Sequence, residues 1–205
     1  MNAISQSDSS KINISRGRDR RRIAWGMFWA TAVLTLLHLP LLPGYYDWRI
    51  TVQGVGFPPG LFLLIDIVDI LYTLGMAALG ALVISSQPGN RIGWLIALIG
   101  LGSAVLRLTG HYAFYAYIVD TGGNLDAVQF PFAEFAVWLQ HWLWVSVIAL
   151  ESIAIALLFP NGRLPSRWWR IFVVAAVAWI AFGSFVIAFH PFIPIENYFV
   201  GSGFR

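Results

Sequence analysis

Phe159-Pro160-Asn161-Gly162-Arg163-Leu164-Pro165-Ser166-Arg167-Trp168-Trp169-Arg170 is a short polar stretch set between two long apolar runs, residues 132–158 and 171–189. Its reading decides the fold. Each run is long enough to cross a hydrocarbon layer of about 30 Å at about 1.5 Å per residue, so each is expected to be a membrane-spanning helix. Pro160 and Gly162 stop the first helix, and Pro165 keeps the segment extended and turned, which makes a tight hairpin. Arg163, Arg167 and Arg170 crowd the span ends, where an excess of basic residues marks the cytoplasmic side, with Trp168 and Trp169 at the headgroups.

The rest of the chain carries the same signature. Hydrophobic residues make up 58% of it and charged residues 11%, whereas a soluble domain is about one quarter charged. Lipid offers no water to backbone groups, which restricts spanning structures to helices and closed barrels, and continuous apolar runs select helices. With no cysteine there is no disulfide framework, thiol chemistry or cysteine zinc site. The formal charge of +3 is concentrated in one N-terminal cluster beside a span, so no nucleic-acid partner is expected.

The expected architecture is an all-α integral membrane protein of about five transmembrane helices, N-terminus cytoplasmic and C-terminus outside. Residues 1–22 are expected to be a disordered basic cytoplasmic tail carrying Lys11, Arg16, Arg18, Arg20, Arg21 and Arg22. Residues 23–190 form the five-helix module, with spans at 23–42, 60–84, 92–118, 132–158 and 171–189. Residues 191–205 follow as an external tail or the start of a linker to a further span. Of the 13 Lys and Arg residues, only Arg49 and Arg205 then fall outside and Arg107 within a span. Trp25, Trp29 and Trp94 are expected as inner belt anchors, and Tyr45, Tyr46, Trp48, Tyr117 and Phe132 as outer ones.

The opening stretch resembles a loop written roughly Phe-Pro-Asp-Gly-Arg-Leu-Pro-Ser-x-x-Trp in the multi-span N-terminal membrane modules of bacterial sensor histidine kinases of the actinobacterial type. A second match, Pro88-Gly89-Asn90-Arg91-Ile92-Gly93-Trp94, is similar to that family's Pro-x-Asn-x-Ile-Gly-Trp turn between two earlier spans. With the order of spans, the likeness covers about residues 65–170, and Asn161 stands where Asp is common. The resemblance implies an input module in the bacterial plasma membrane that signals through a cytoplasmic kinase part or a partner kinase. The phospho-accepting histidine and ATP-binding boxes of such kinases are absent from this chain, so no enzymatic activity of its own is expected. A C-terminus outside suits either a fragment of a longer kinase or a free-standing relative.

Charges inside the spans carry the remaining information, since each costs about 2.5–3.5 kcal/mol on insertion scales and asks for a partner. Asp66 and Asp69 are three residues apart on span two; Arg107 and His111 are four apart on span three. Each pair shares a helix face. In an antiparallel hairpin Asp69 is expected to meet Arg107 and Asp66 to meet His111. Gly93, Ala97, Gly100 and Ala104 facing Thr73, Ala77 and Gly80 would let the backbones close. The cluster reads either as a responsive polar centre or as a clasp that keeps two helices in register.

His38, His111, His141 and His190 come from four different spans, without an i, i+4 pair, and His38 and His190 stand beside prolines at helix ends. All four are expected in the outer half of the spans or at the outer boundary, His38 and His190 as interfacial residues, with no metal and no cofactor. Trp138, Trp142 and Trp144 crowd around His141, which reads as an apolar pocket for a lipid or quinone-like ligand or as helix packing. Glu151 is a lone acid expected to bond Ser152 or nearby backbone, or to face the bundle. The expected function is a non-enzymatic sensory input module whose partners are membrane lipids, a kinase and, for a homodimer, a second copy. The alternative is a small transporter or ion-conducting subunit built on Asp66, Asp69, Arg107 and His111.

Overall fold

The structure, a computed structural model, describes the backbone of residues 2–51, 58–120, 130–158 and 167–190, and the side chains of most of these from residue 17 onward. Among the described residues six α-helices follow one another: α1 (Asn2–His38), α2 (Leu42–Thr51), α3 (Pro59–Ser86), α4 (Arg91–Phe114), α5 (Ala133–Leu158) and α6 (Arg167–Phe189). A 3-10 turn, Leu39–Leu41, joins α1 to α2, and a π-helical turn, Tyr115–Val119, extends α4. Among the described residues five stretches are long and apolar enough to cross a membrane: Gly17–Tyr46, Gly60–Ser86, Arg91–Val119, Ala133–Ser152 and Trp168–Phe189. The hairpin residues Phe159, Pro160, Gly162, Arg163 and Pro165, the stretches 52–57 and 121–129, and the tail 191–205 lie outside the described residues.

Three boundaries depart from expectation, each for a local reason. The segment expected to be disordered up to Arg18 is helical from Asn2, because it contains no proline and continues a helix already nucleated by the span, where each added residue gains a hydrogen bond. The first span does not stop at Pro40 and Pro43: both fall within the first turn of a new helical segment, where a missing N–H costs nothing. The helix α5 starts at Ala133 rather than Phe132, whose φ of 60° is left-handed and incompatible with the helix.

The packing centres on α4, which lies against α1, α3 and α5, while α6 packs on α5. Close approach of α3 and α4 follows from small residues. A Cβ on Gly80 would stand 2.5 Å from the backbone N of Ala97, and one on Gly100 would stand 2.7 Å from that of Ala77. The interior is therefore lined by Ala77, Ala81, Ala97 and Ala104 with Thr31, Thr35, Thr73 and His38, whereas Leu36, Leu71, Phe172 and Trp179 face outward. That is the reverse of a water-soluble bundle.

The Pro88–Asn90 turn closes one end. Asn90 caps α4 by accepting a hydrogen bond from the Ile92 N–H at 2.9 Å, and its own N–H donates to the Gln87 carbonyl. A Cβ on Gly93 would press within 2.8 Å of Val83, so only glycine fits there, and Trp94 packs on the cluster of Ala24, Ala81, Ile84 and Ala97. Arg20 and Arg21 of α1 donate to the carbonyls of Pro88 and Ser85, and the Trp25 indole donates to the Ser85 hydroxyl. Trp25 and Trp94 are thus packed against protein instead of standing in a free aromatic belt. Tyr117, also expected in a belt, is buried with Ala113, Ala116 and Ala133.

Candidate functional site

The polar centre forms toward the opposite end of the α3–α4 hairpin. Arg107 on α4 points between the two carboxylates of α3: one guanidinium nitrogen lies 3.0 Å from Asp66 Oδ1 and the other pairs with Asp69 Oδ2. Tyr46 of α2 donates its hydroxyl to the second Asp66 oxygen. Both oxygens of the buried Asp66 are therefore satisfied, while Asp69 is about half exposed (47%). A buried acid paired and hydrogen-bonded on both sides avoids the penalty of an uncompensated charge.

The expected pairing of Asp69 with Arg107 is present, but Asp66 does not meet His111. Arg107 is long and forked, and it spans the single helical turn between the two acids, leaving His111 free to turn the other way. His111 Nδ1 instead lies 2.9 Å from the Arg107 carbonyl on its own helix. Its ring faces His38 of α1 at 5.3 Å between centroids and Tyr45 of α2 at 4.9 Å. His38, read from its proline neighbour as interfacial, is fully buried, because the chain continues past Pro40 into α2, which lays Tyr45 and Tyr46 over the centre. The two tyrosines were expected as outer anchors; they stand two and three residues beyond Pro43, near the start of α2.

Around this centre several buried polar atoms have no hydrogen-bond partner: Thr35 Oγ1, both nitrogens of His38, Nε of Arg107 and Nε2 of His111. Among the described residues no group of three or more His, Cys, Asp or Glu is arranged to hold a metal ion.

The remaining candidates are dispersed. Glu151 of α5 accepts a hydrogen bond from the Tyr72 hydroxyl of α3 at 2.6 Å, so its partner is a tyrosine on another helix. Ser152, the neighbour expected for it, bonds the Ile148 carbonyl one turn back, as serine in a helix commonly does. Trp138 packs edge-on against Trp142 and donates from its indole to the Ala188 carbonyl of α6 at 2.8 Å. Trp144 is 48% exposed, with its indole on the carbonyl of His141. Trp138 thus ties α5 to α6, while Trp144 is fastened to the backbone of its own helix.

Chemically, the arrangement offers a paired charge cluster, two carboxylates on one guanidinium with a formal charge of −1, next to two imidazoles. Compared with known proteins, the chain is matched by no family model, no curated protein and no solved structure.

Proposed function

We propose that the chain is a non-enzymatic, multi-pass sensory input module of a bacterial two-component signalling protein, or a detached part of one, in the plasma membrane with its N-terminus cytoplasmic. The observation that carries the reading is the placement of the polar centre relative to the Pro88–Asn90 turn. Asp66, Asp69 and Arg107 lie toward one end of the α3–α4 hairpin, and the turn that resembles those of sensor-kinase modules forms the other, beside the arginines of α1. Between the two, the backbones of α3 and α4 touch at Gly80 and Gly100. A ligand that favours one arrangement of the centre biases the whole hairpin, since packed helices shift as units. Large apolar side chains on the outside and small or polar ones within support a lipid surrounding.

Transport through the same charges is the less supported reading. Arg107 holds both carboxylates and Tyr46 takes the remaining Asp66 oxygen, so the acids are committed to protein partners rather than to a passing ion.

Spin labels at Gly89→Cys and Arg170→Cys, in a chain free of native cysteine, report the separation of the ends of α4 and α6 in nanodiscs. Asp66→Asn, which disturbs the centre while keeping its shape, is expected to shift that separation by about 1–2 Å, the scale of helix shifts in signalling proteins. Unchanged distances in Asp66→Asn and in Arg107→Leu, or ion flux in reconstituted vesicles, would reject the sensory reading. Orientation is checked by single cysteines: label reaching Ser166→Cys from outside but not Asn124→Cys overturns the proposed topology.

A further inference from the structure

His38 and His111 present an arrangement that ion pairing at Arg107 does not explain. The only hydrogen bond of His111 runs from Nδ1 to the Arg107 carbonyl. A carbonyl can only accept, so Nδ1 carries the proton and Nε2 keeps its lone pair in the neutral ring. Metal-binding histidines are held in this way, one nitrogen tied to a carbonyl or carboxylate and the other presented to the ion. His111 Nε2 is buried without a partner; His38 is fully enclosed, with the Thr35 backbone of its own helix beside its ring and no side-chain partner for either nitrogen.

The spacing fits a shared ion. The two ring centroids are 5.3 Å apart with the planes tilted by 43°. Imidazoles bound to one tetrahedral ion at about 2.0–2.1 Å have their centroids about 5 Å apart. The charge also fits: Asp66 and Asp69 against Arg107 leave a formal charge of −1 beside the rings, which favours a cation. Thr35, one turn before His38 on α1 and buried with its hydroxyl oxygen unpaired, adds a polar atom able to hold a metal-bound water.

We propose that His38 and His111 together bind a divalent transition-metal ion of the zinc class, the remaining positions being taken by water or an exchangeable anion. Imidazole suits zinc, copper, iron and nickel, and a site whose protein ligands are nitrogen rather than oxygen selects against magnesium and calcium. With no third His, Cys, Asp or Glu grouped with them among the described residues, the protein supplies two ligands, fewer than the four of a closed structural zinc site. The inference deepens the sensory reading and rests on it for its purpose, since an ion joining α1 to α4 changes helix packing beside Arg107. Binding itself is independent of any movement.

The test uses the full chain in nanodiscs, with Co2+ as spectroscopic probe and Zn2+ as competitor. One Co2+ per chain is expected, displaced by Zn2+, with His38→Ala and His111→Ala each weakening it by roughly 100-fold or more, because loss of a ligand exceeds the 10–100-fold effect of its supporting shell. His141→Ala and His190→Ala are expected to bind like the parent. In His111→Cys the ion keeps a ligand, and a thiolate-to-cobalt charge-transfer absorption is expected, which a merely structural histidine would not produce. Absence of saturable binding, unchanged affinity in His38→Ala at parental helicity, or no charge-transfer absorption in His111→Cys overturns the metal site. Saturable binding with fixed Gly89–Arg170 label distances keeps the metal site and rejects the sensory reading, while label distances that respond to Asp66→Asn without any metal binding do the reverse.

Discussion

The α3–α4 and α5–α6 hairpins are built from helices of comparable apolarity, yet they hold together in different ways. In the first, glycine and alanine bring the backbones into contact, and an arginine fork joins the helices across the interface. In the second, a Cβ on Gly183 would find nothing within 4 Å. The helices α5 and α6 meet through a serine pair, Ser146 with Ser184 at 2.8 Å, and the Trp138 indole on Ala188. Apolar length decides that a helix can span; small and polar residues decide which neighbour it chooses and how firmly, because lipid tails compete equally for large apolar side chains.

The largest expected effect breaks the first hairpin. Arg107→Leu leaves the buried Asp66 facing apolar surroundings and is expected to cost about 3–5 kcal/mol in unfolding measured by denaturant titration in mixed micelles. Adding Asp66→Asn, which removes the carboxylate enclosed by protein, recovers most of that loss, whereas Asp69→Asn recovers a smaller part, because the half-exposed Asp69 has room to rearrange. Equal recovery by the two would place the buried charge elsewhere. Next in size, Gly80→Ala forces a Cβ against the Ala97 backbone, which cannot move aside as a side chain can, and is expected to cost about 1–3 kcal/mol. The same change at Gly183 meets open space and is expected to be neutral or slightly stabilising through helix propensity. Similar losses at both positions would erase the contrast between the hairpins.

Much of this was legible in the sequence, and the limits have physical causes. Five apolar runs announced five long helices, and the spacing of Gly93, Ala97 and Gly100 against Ala77 and Gly80 matched the close contact between α3 and α4, because helix faces repeat with a fixed period. The partner of Asp66 was not legible. Depth matching places residues along a hairpin but says nothing of side-chain reach, and Arg107 is long enough to take both acids. His38 and the two tyrosines were misplaced because proline was read as a stop, whereas at the first turn of the next helix it permits continuation. Tyr72 and Glu151 reach each other from α3 and α5, helices that are not neighbours in the chain, a contact no periodicity announces.

A smaller effect sharpens the role assigned to α2. Tyr46→Phe removes the hydroxyl that donates to Asp66 but keeps the ring, and is expected to cost about 1.5–3 kcal/mol, the range for a hydrogen bond to a charged group, toward the lower end because Arg107 still holds the other oxygen. No loss by micelle titration would mean that α2 rests on the centre without securing it.

The smallest effect is the most discriminating test of the second hairpin. Ser146 and Ser184 are each other's hydrogen-bond partners across α5 and α6, and Ser184 is buried. A double-mutant cycle of Ser146→Ala and Ser184→Ala isolates their coupling, expected at about 0.6 kcal/mol, the average for hydrogen bonds between membrane helices. The figure is small because a serine separated from its partner can bond its own helix one turn back, as Ser152 does with the Ile148 carbonyl at 2.9 Å, so the separated state loses little. Coupling well above about 1.7 kcal/mol, the upper end for such pairs, would make the α5–α6 seam as specific as the arginine fork of α3–α4. Movement of α6 relative to α5 would then be an improbable step in signalling, and the shift sought between Gly89 and Arg170 would have to arise within α3 and α4.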